Sequence, residues 1–152
     1  MAAVTIDPSV EACQALIAQI NAGTAYTLQV NAIYSEQLID SLEEIDVLRV
    51  DVCTDESETL EETLAIEDRT SHKIRIWIRN KVNDWENRTI DPLKLLVRQI
   101  YQRVNNFDSS NQRVRVWECD YEPLENPSKE TLRTAGLFVS QIVLRVEVDP
   151  PA

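Results

Sequence analysis

The chain holds two glycines in 152 residues, Gly23 and Gly136. A phosphate cradle or a dinucleotide fingerprint needs several residues without a β-carbon so that backbone N–H groups can approach the ligand. Those functions are excluded. Histidine is scarcer still: His72 stands alone, so any Ser–His–Asp or Cys–His site would have to use it. Placed beside Lys73 at the head of an alternating stretch, it reads as a surface histidine. The three cysteines, Cys13, Cys53 and Cys119, are widely spaced, odd in number and never arranged as CxxC. That argues against a disulfide framework or a zinc knuckle and fits a reducing compartment, with each thiol acting as a small hydrophobe. No apolar run approaches the roughly 20 residues of a membrane span, and the start lacks a basic region followed by an apolar core. A soluble chain without a membrane partner is expected, with no catalytic residue, cofactor or metal.

Cation excess is also missing. The net charge of -11 opposes binding to a phosphate backbone, whose affinity comes from Lys and Arg. The charge is concentrated: Asp51, Asp55, Glu56, Glu58, Glu61, Glu62, Glu67 and Asp68 form an acid-only run without Lys or Arg, which leaves -3 for the rest. As a calcium loop this run fails, because no glycine stands at the required sixth position after Asp51 or Asp55. Two readings stay open for the loop at 54–70, inserted between strands: a solvated flap, or a surface of Asp55, Glu56, Glu58, Glu61 and Glu62 that repels anions.

What is present is patterning. Asp7 and Pro8 open a helix over 8–21, with Val10, Cys13, Leu16, Ile17 and Ile20 on one stripe and Asn21 and Gly23 as the stop. Period-two alternation predicts strands at 26–34, 45–53, 73–79 and 113–121 and a long one through 140–148. Such a long strand either runs through the sheet centre or reaches past its own subunit. Asp91 and Pro92 open the clearest helix, 92–104, with Leu93, Leu96, Val97, Ile100 and Val104 on one stripe. A short helix is expected over 128–133.

At 73–79, Ile74, Ile76 and Ile78 point inward, leaving Arg75, Trp77 and Arg79 outward. At 113–121, Val114 and Val116 oppose Arg113, Arg115 and Trp117. Trp and Arg are enriched at protein interfaces, so these residues, with Trp85 in the linker between, are candidate contacts. The plainer reading is a cation–π arrangement on a wet sheet face. Interleaved Arg and Trp also occur in single-strand binders, which the acidity opposes.

The order helix, three strands, helix, strand, short helix, strand resembles the tail terminator and neck (tail completion) proteins of tailed bacteriophages. Four features carry the likeness: Asp68 and Arg69 leading into 73–79, Ile90 and Asp91 before the second helix, the Trp-bearing strand 113–121, and the run 132–138 before the last strand. The resemblance implies a virion structural protein without catalysis. Its partners would be further copies of itself in a homohexameric ring, the tail tube protein and the head-side connector, with DNA passing through the lumen as cargo. Assembly would take place in the host cytoplasm, and the acidic loop would line the lumen. The alternatives are a head-completion or minor tail protein and, in another class, a small cytoplasmic ligand-binding or regulatory domain. The expected fold is α/β (α+β): one domain over 1–152, a single mostly antiparallel sheet of about five strands with helices 8–21 and 92–104 packed on one face.

Overall fold

The computed structural model describes residues 6–36, 48–54, 70–82, 87–105, 114–122 and 137–149. Helix α1 (Pro8–Asn21) starts where the Asp7–Pro8 pair predicts. The Asp7 Oδ1 accepts from the Ser9 backbone N–H at 2.9 Å and from its hydroxyl at 2.5 Å, satisfying an otherwise orphaned donor of the first turn. Ala12, Cys13, Leu16 and Ile20 bury the stripe. At the other end the Tyr26 hydroxyl donates to the Ile20 carbonyl at 2.7 Å. Gly23 makes room for that phenol, because a β-carbon there would lie 2.6 Å from its oxygen.

The strand predicted over 26–34 shortens to β1 (Ala32–Tyr34). The alternation is real, since Tyr26, Leu28 and Val30 pack partly buried against the core while Thr27, Gln29 and Asn31 are exposed. The backbone partners, however, are side chains. Gln99 Oε1 accepts from the Thr27 N–H at 2.9 Å, and Asn21 grips Ala32 at two points, accepting from its N–H at 2.8 Å and donating to its carbonyl at 3.1 Å. Asn21 thereby closes the outer side of β1 at Ala32.

The remaining elements are β2 (Arg49–Thr54), β3 (Thr70–Lys81), α2 (Asn87–Asn105), β4 (Val114–Glu122) and β5 (Leu137–Val148). Helix α2 begins earlier than the expected 92, with Pro92 inside it. The missed signal is Ile90, 6% exposed, which extends the stripe of Leu93, Leu96, Val97, Ile100 and Val104 by one turn. An interior proline removes one backbone donor, a loss that the added apolar turn offsets. Of the other expectations, the acidic residues 55–69, most of the connection 35–44 and the short helix 128–133 lie outside the described residues.

The five strands form one curled sheet in the order β1-β2-β3-β5-β4. β1 runs parallel to β2, and every other neighbouring pair is antiparallel, so the sheet is mixed but mostly antiparallel. The fold is α+β, with both helices on one face: α1 over β1 and β2, α2 over β4 and β5. Their seam is tied reciprocally, Arg103 Nε donating to the Gln19 carbonyl at 2.9 Å and Gln19 Nε2 to the Arg103 carbonyl at 3.4 Å. Beneath them lie Val50 and Val52, Ile74, Ile76 and Ile78, and Phe138, Ile142, Leu144 and Val146, all essentially without solvent exposure. Each such side chain contributes about 1.5–3 kcal/mol of burial.

The long last strand takes the first of its two expected courses. β5 pairs with β3 over twelve residues and with β4 on its other side. Over Gln141–Val148 both its edges are used within the subunit, so its backbone does not pair with a neighbouring subunit there.

Candidate functional site

The sheet face turned away from the helices carries Arg75, Trp77, Arg79 and Arg115 of the side chains singled out as contacts. On β3 the period of two sends Ile74, Ile76 and Ile78 into the core and Lys73, Arg75, Trp77 and Arg79 to this opposite face. Lys73, Arg75 and Trp77 are half-buried there. Arg75 Nη1 donates to Gln141 Oε1 of β5 at 2.7 Å, across the diagonal of the pair. Val139 and Val143 of β5, also half-buried, share the face and give it an apolar component beside the cations.

Arg79 departs from the outward reading. It is buried, and its Nη2 donates to Asp51 Oδ2 at 3.0 Å. The register explains why: Asp51 lies opposite Trp77 and Arg49 opposite Arg79, so strand periodicity gathers residues 49, 51, 77 and 79 on one patch. Two arginines directly opposite each other would repel. Asp51, with no solvent exposure, sits between them, taking Arg49 Nε at 3.1 and 3.2 Å and the Ser35 hydroxyl at 2.7 Å. Arg79 therefore holds β2 to β3 and serves the fold. The sequence shows Asp51 only as one acid in a long acidic run, and no local pattern marks it as an ion-pair centre.

Arg115 of β4 stands on the same face, mostly exposed, with Nη2 donating to Asp149 Oδ2 at 2.8 Å. It does not join the β3 cations in one cluster. β5 lies between the two strands, and Arg115 is level with Glu147 and Ser71, four residues along from Arg75. That separation is about 13 Å along the strands and two strand spacings across. The β4 ladder is bulged between Val116 and Glu118, at Trp117. The Trp117 side chain lies outside the described residues, as do Trp85, Arg113 and the acids Asp55, Glu56, Glu58, Glu61 and Glu62.

His72 also departs from its surface reading. It is 5% exposed, in step with the core isoleucines, and its Nε2 is hydrogen-bonded to the Thr70 hydroxyl at 2.7 Å. Burial lowers its pKa below the ordinary value, with Asp7 acting in the opposite direction. The buried Cys13 and half-buried Cys119 thiols are pushed up to about 12 by burial, so both are poor nucleophiles near neutrality. Among the described residues no group of three or more His, Cys, Asp or Glu is placed to hold a metal, and no helix is long and apolar enough to cross a membrane.

A shallow cleft of about 300 Å³ opens where α1, α2 and the turn at 24–27 meet, lined by Gln19, Ala25, Tyr26, Gln99, Gln102 and Arg103. Its polar walls are engaged in holding the fold: Gln19 and Arg103 bind each other's backbone and Gln99 binds Thr27. In comparisons with known proteins the chain matches no family model and no curated relative.

Proposed function

We propose that this chain is a virion structural protein of the tail-terminator type, acting without catalysis. Six copies close into a ring that caps the tail tube and joins it to the head-side connector, and DNA passes through the lumen. The observation that carries this reading is the sheet face opposite the helices. There β3 and β5, paired over twelve residues, form a stiff platform bearing half-buried Trp77 beside Lys73 and Arg75. Large aromatic and arginine side chains on a rigid surface are what a protein interface uses as anchors. The order of elements supports the same reading through the resemblance to tail terminator and neck proteins. In this arrangement the platform meets a neighbouring subunit or the tube by its face, since both backbone edges of β5 are already paired over Gln141–Val148.

Native mass spectrometry of the purified chain, alone and with a tail tube protein, tests the proposal. A sixfold ring in either sample is the expected outcome. A monomer in both overturns it.

A further inference from the structure

We propose that His72 is an acid-sensitive seat for helix α1: a proton on its ring places a charge in the core beneath the first turn and loosens the helix on the sheet. The ring occupies the helix-covered face of the central strand β3, in line with Ile74 and opposite Val146 of β5. Among the described residues its hydrogen-bond partner is the Thr70 hydroxyl, which is neutral and does not compensate a positive charge. β4 and β5 bring valines to this corner, Val114, Val116, Val146 and Val148. α1 brings the Asp7 carboxylate, whose charge acts on the ring.

Two effects compete at the ring. Asp7 attracts a proton to it, but that carboxylate is exposed and already accepts two bonds from Ser9. Burial, the larger influence, opposes charging. The ring therefore takes up a proton less readily in the native state than in the unfolded chain, where it does so near the ordinary 6.5.

The sign follows from linkage. Below about pH 6.5 the unfolded state binds the proton that the native state refuses, so stability present above that pH is lost as the pH falls, until the lower native value is reached. The unfolding constant rises by a factor approaching ten per pH unit in that window. No other imidazole contributes, since His72 is the only one in the chain. Most carboxylates titrate lower, which isolates the effect between pH 5.5 and 7.5, roughly.

The test has two arms. NMR titration of the sole imidazole in the wild-type protein should give a midpoint below about 6.5, and a midpoint at or above that value overturns the proposal. Urea unfolding at pH 7.5 and 5.5 should show an unfolding constant several-fold larger at the lower pH, with faster amide exchange in the first turn of α1. His72→Gln should abolish that rise; a rise that persists in the variant overturns the assignment. Asp7→Asn keeps a good N-cap while removing the charge, and should move the imidazole midpoint further down. If His72→Gln fails to fold, the wild-type titration and the Asp7→Asn shift decide alone.

Discussion

Replacing Asp51 by alanine removes a fully buried carboxylate set between two arginines. Three donors lose their acceptor: the Ser35 hydroxyl at 2.7 Å, Arg79 Nη2 at 3.0 Å and Arg49 Nε at 3.1 Å. They are unequal. The Arg49 side chain keeps 17% of its surface and recovers some hydration, whereas Arg79 keeps 5% and cannot. Breaking a buried pair by deleting one partner costs about 3–5 kcal/mol, most of it the stranded charge. In a chain of this size that lowers the melting midpoint by roughly 6–20 °C. Asp51→Asn keeps an acceptor but loses the charge, and should cost about 1–3 kcal/mol. The decisive variant is the double replacement Asp51→Leu with Arg79→Met, which removes both charges at similar volume and should recover most of the loss. Urea unfolding monitored by circular dichroism supplies the midpoints, read at unchanged slope. Single variants costing under about 1 kcal/mol, or a double variant whose cost is the sum of the two singles, would refute the reasoning.

Gly23→Ala drives a β-carbon into the Tyr26 ring and should cost about 1–3 kcal/mol, a penalty that disappears in a Tyr26→Ala background. Asn21→Ala strips the two-point grip on Ala32; about 1–2 kcal/mol and faster exchange of the Ala32 amide are expected, with no change in exchange arguing against the grip. Ile76→Ala, at a fully buried position of the central strand, should cost about 2–5 kcal/mol by chemical denaturation. Because burial raises Cys13 and Cys119 to about 12, both thiols should react with a disulfide reagent at pH 8 only as fast as the protein opens. Rapid modification of the native chain would contradict that.

What was legible in the sequence is what short-range periodicity encodes. Asp7 and Pro8 announce α1 because capping is settled within three residues, and the isoleucines of β3 announce a strand buried on one face. What was not legible depends on partners far along the chain. The segment 26–31 alternates like a strand, yet Thr27 is satisfied by Gln99, 72 positions away, so its burial pattern survives without a ladder. Arg79 reads as one more outward cation until the register brings Asp51, 28 positions earlier, onto its diagonal. His72 is misjudged for the same reason: Ser71 and Lys73 beside it in sequence point to the other face, and Val146, far along the chain, lies opposite it on the core side. Pro92 misleads by a local rule that is sound on average, overridden here by the burial of Ile90.

The register also divides the sheet into two ends, and the ring reading assigns them different work. The acidic segment leaves β2 after Thr54 and re-enters β3 at Thr70, at the same end as Asp149 and the Arg115 pair. The Asp51 ion cluster stiffens the opposite end, where Arg49 meets Arg79. If the acidic end faces passing DNA, its carboxylates act by repulsion at a distance and need no contact with protein. On the same reading the Trp77 platform would act only by contact. The two functions should therefore separate. Replacing Glu56, Glu58, Glu61 and Glu62 by lysine should leave the oligomer intact on native mass spectrometry and yet impair DNA delivery in an infectivity assay. Lys73→Glu with Trp77→Ala should abolish the oligomer while the chain still folds, as circular dichroism would report. A lysine variant that delivers DNA normally removes the lumen from the acidic segment, and a platform variant that still closes into a ring moves the subunit contact to another surface.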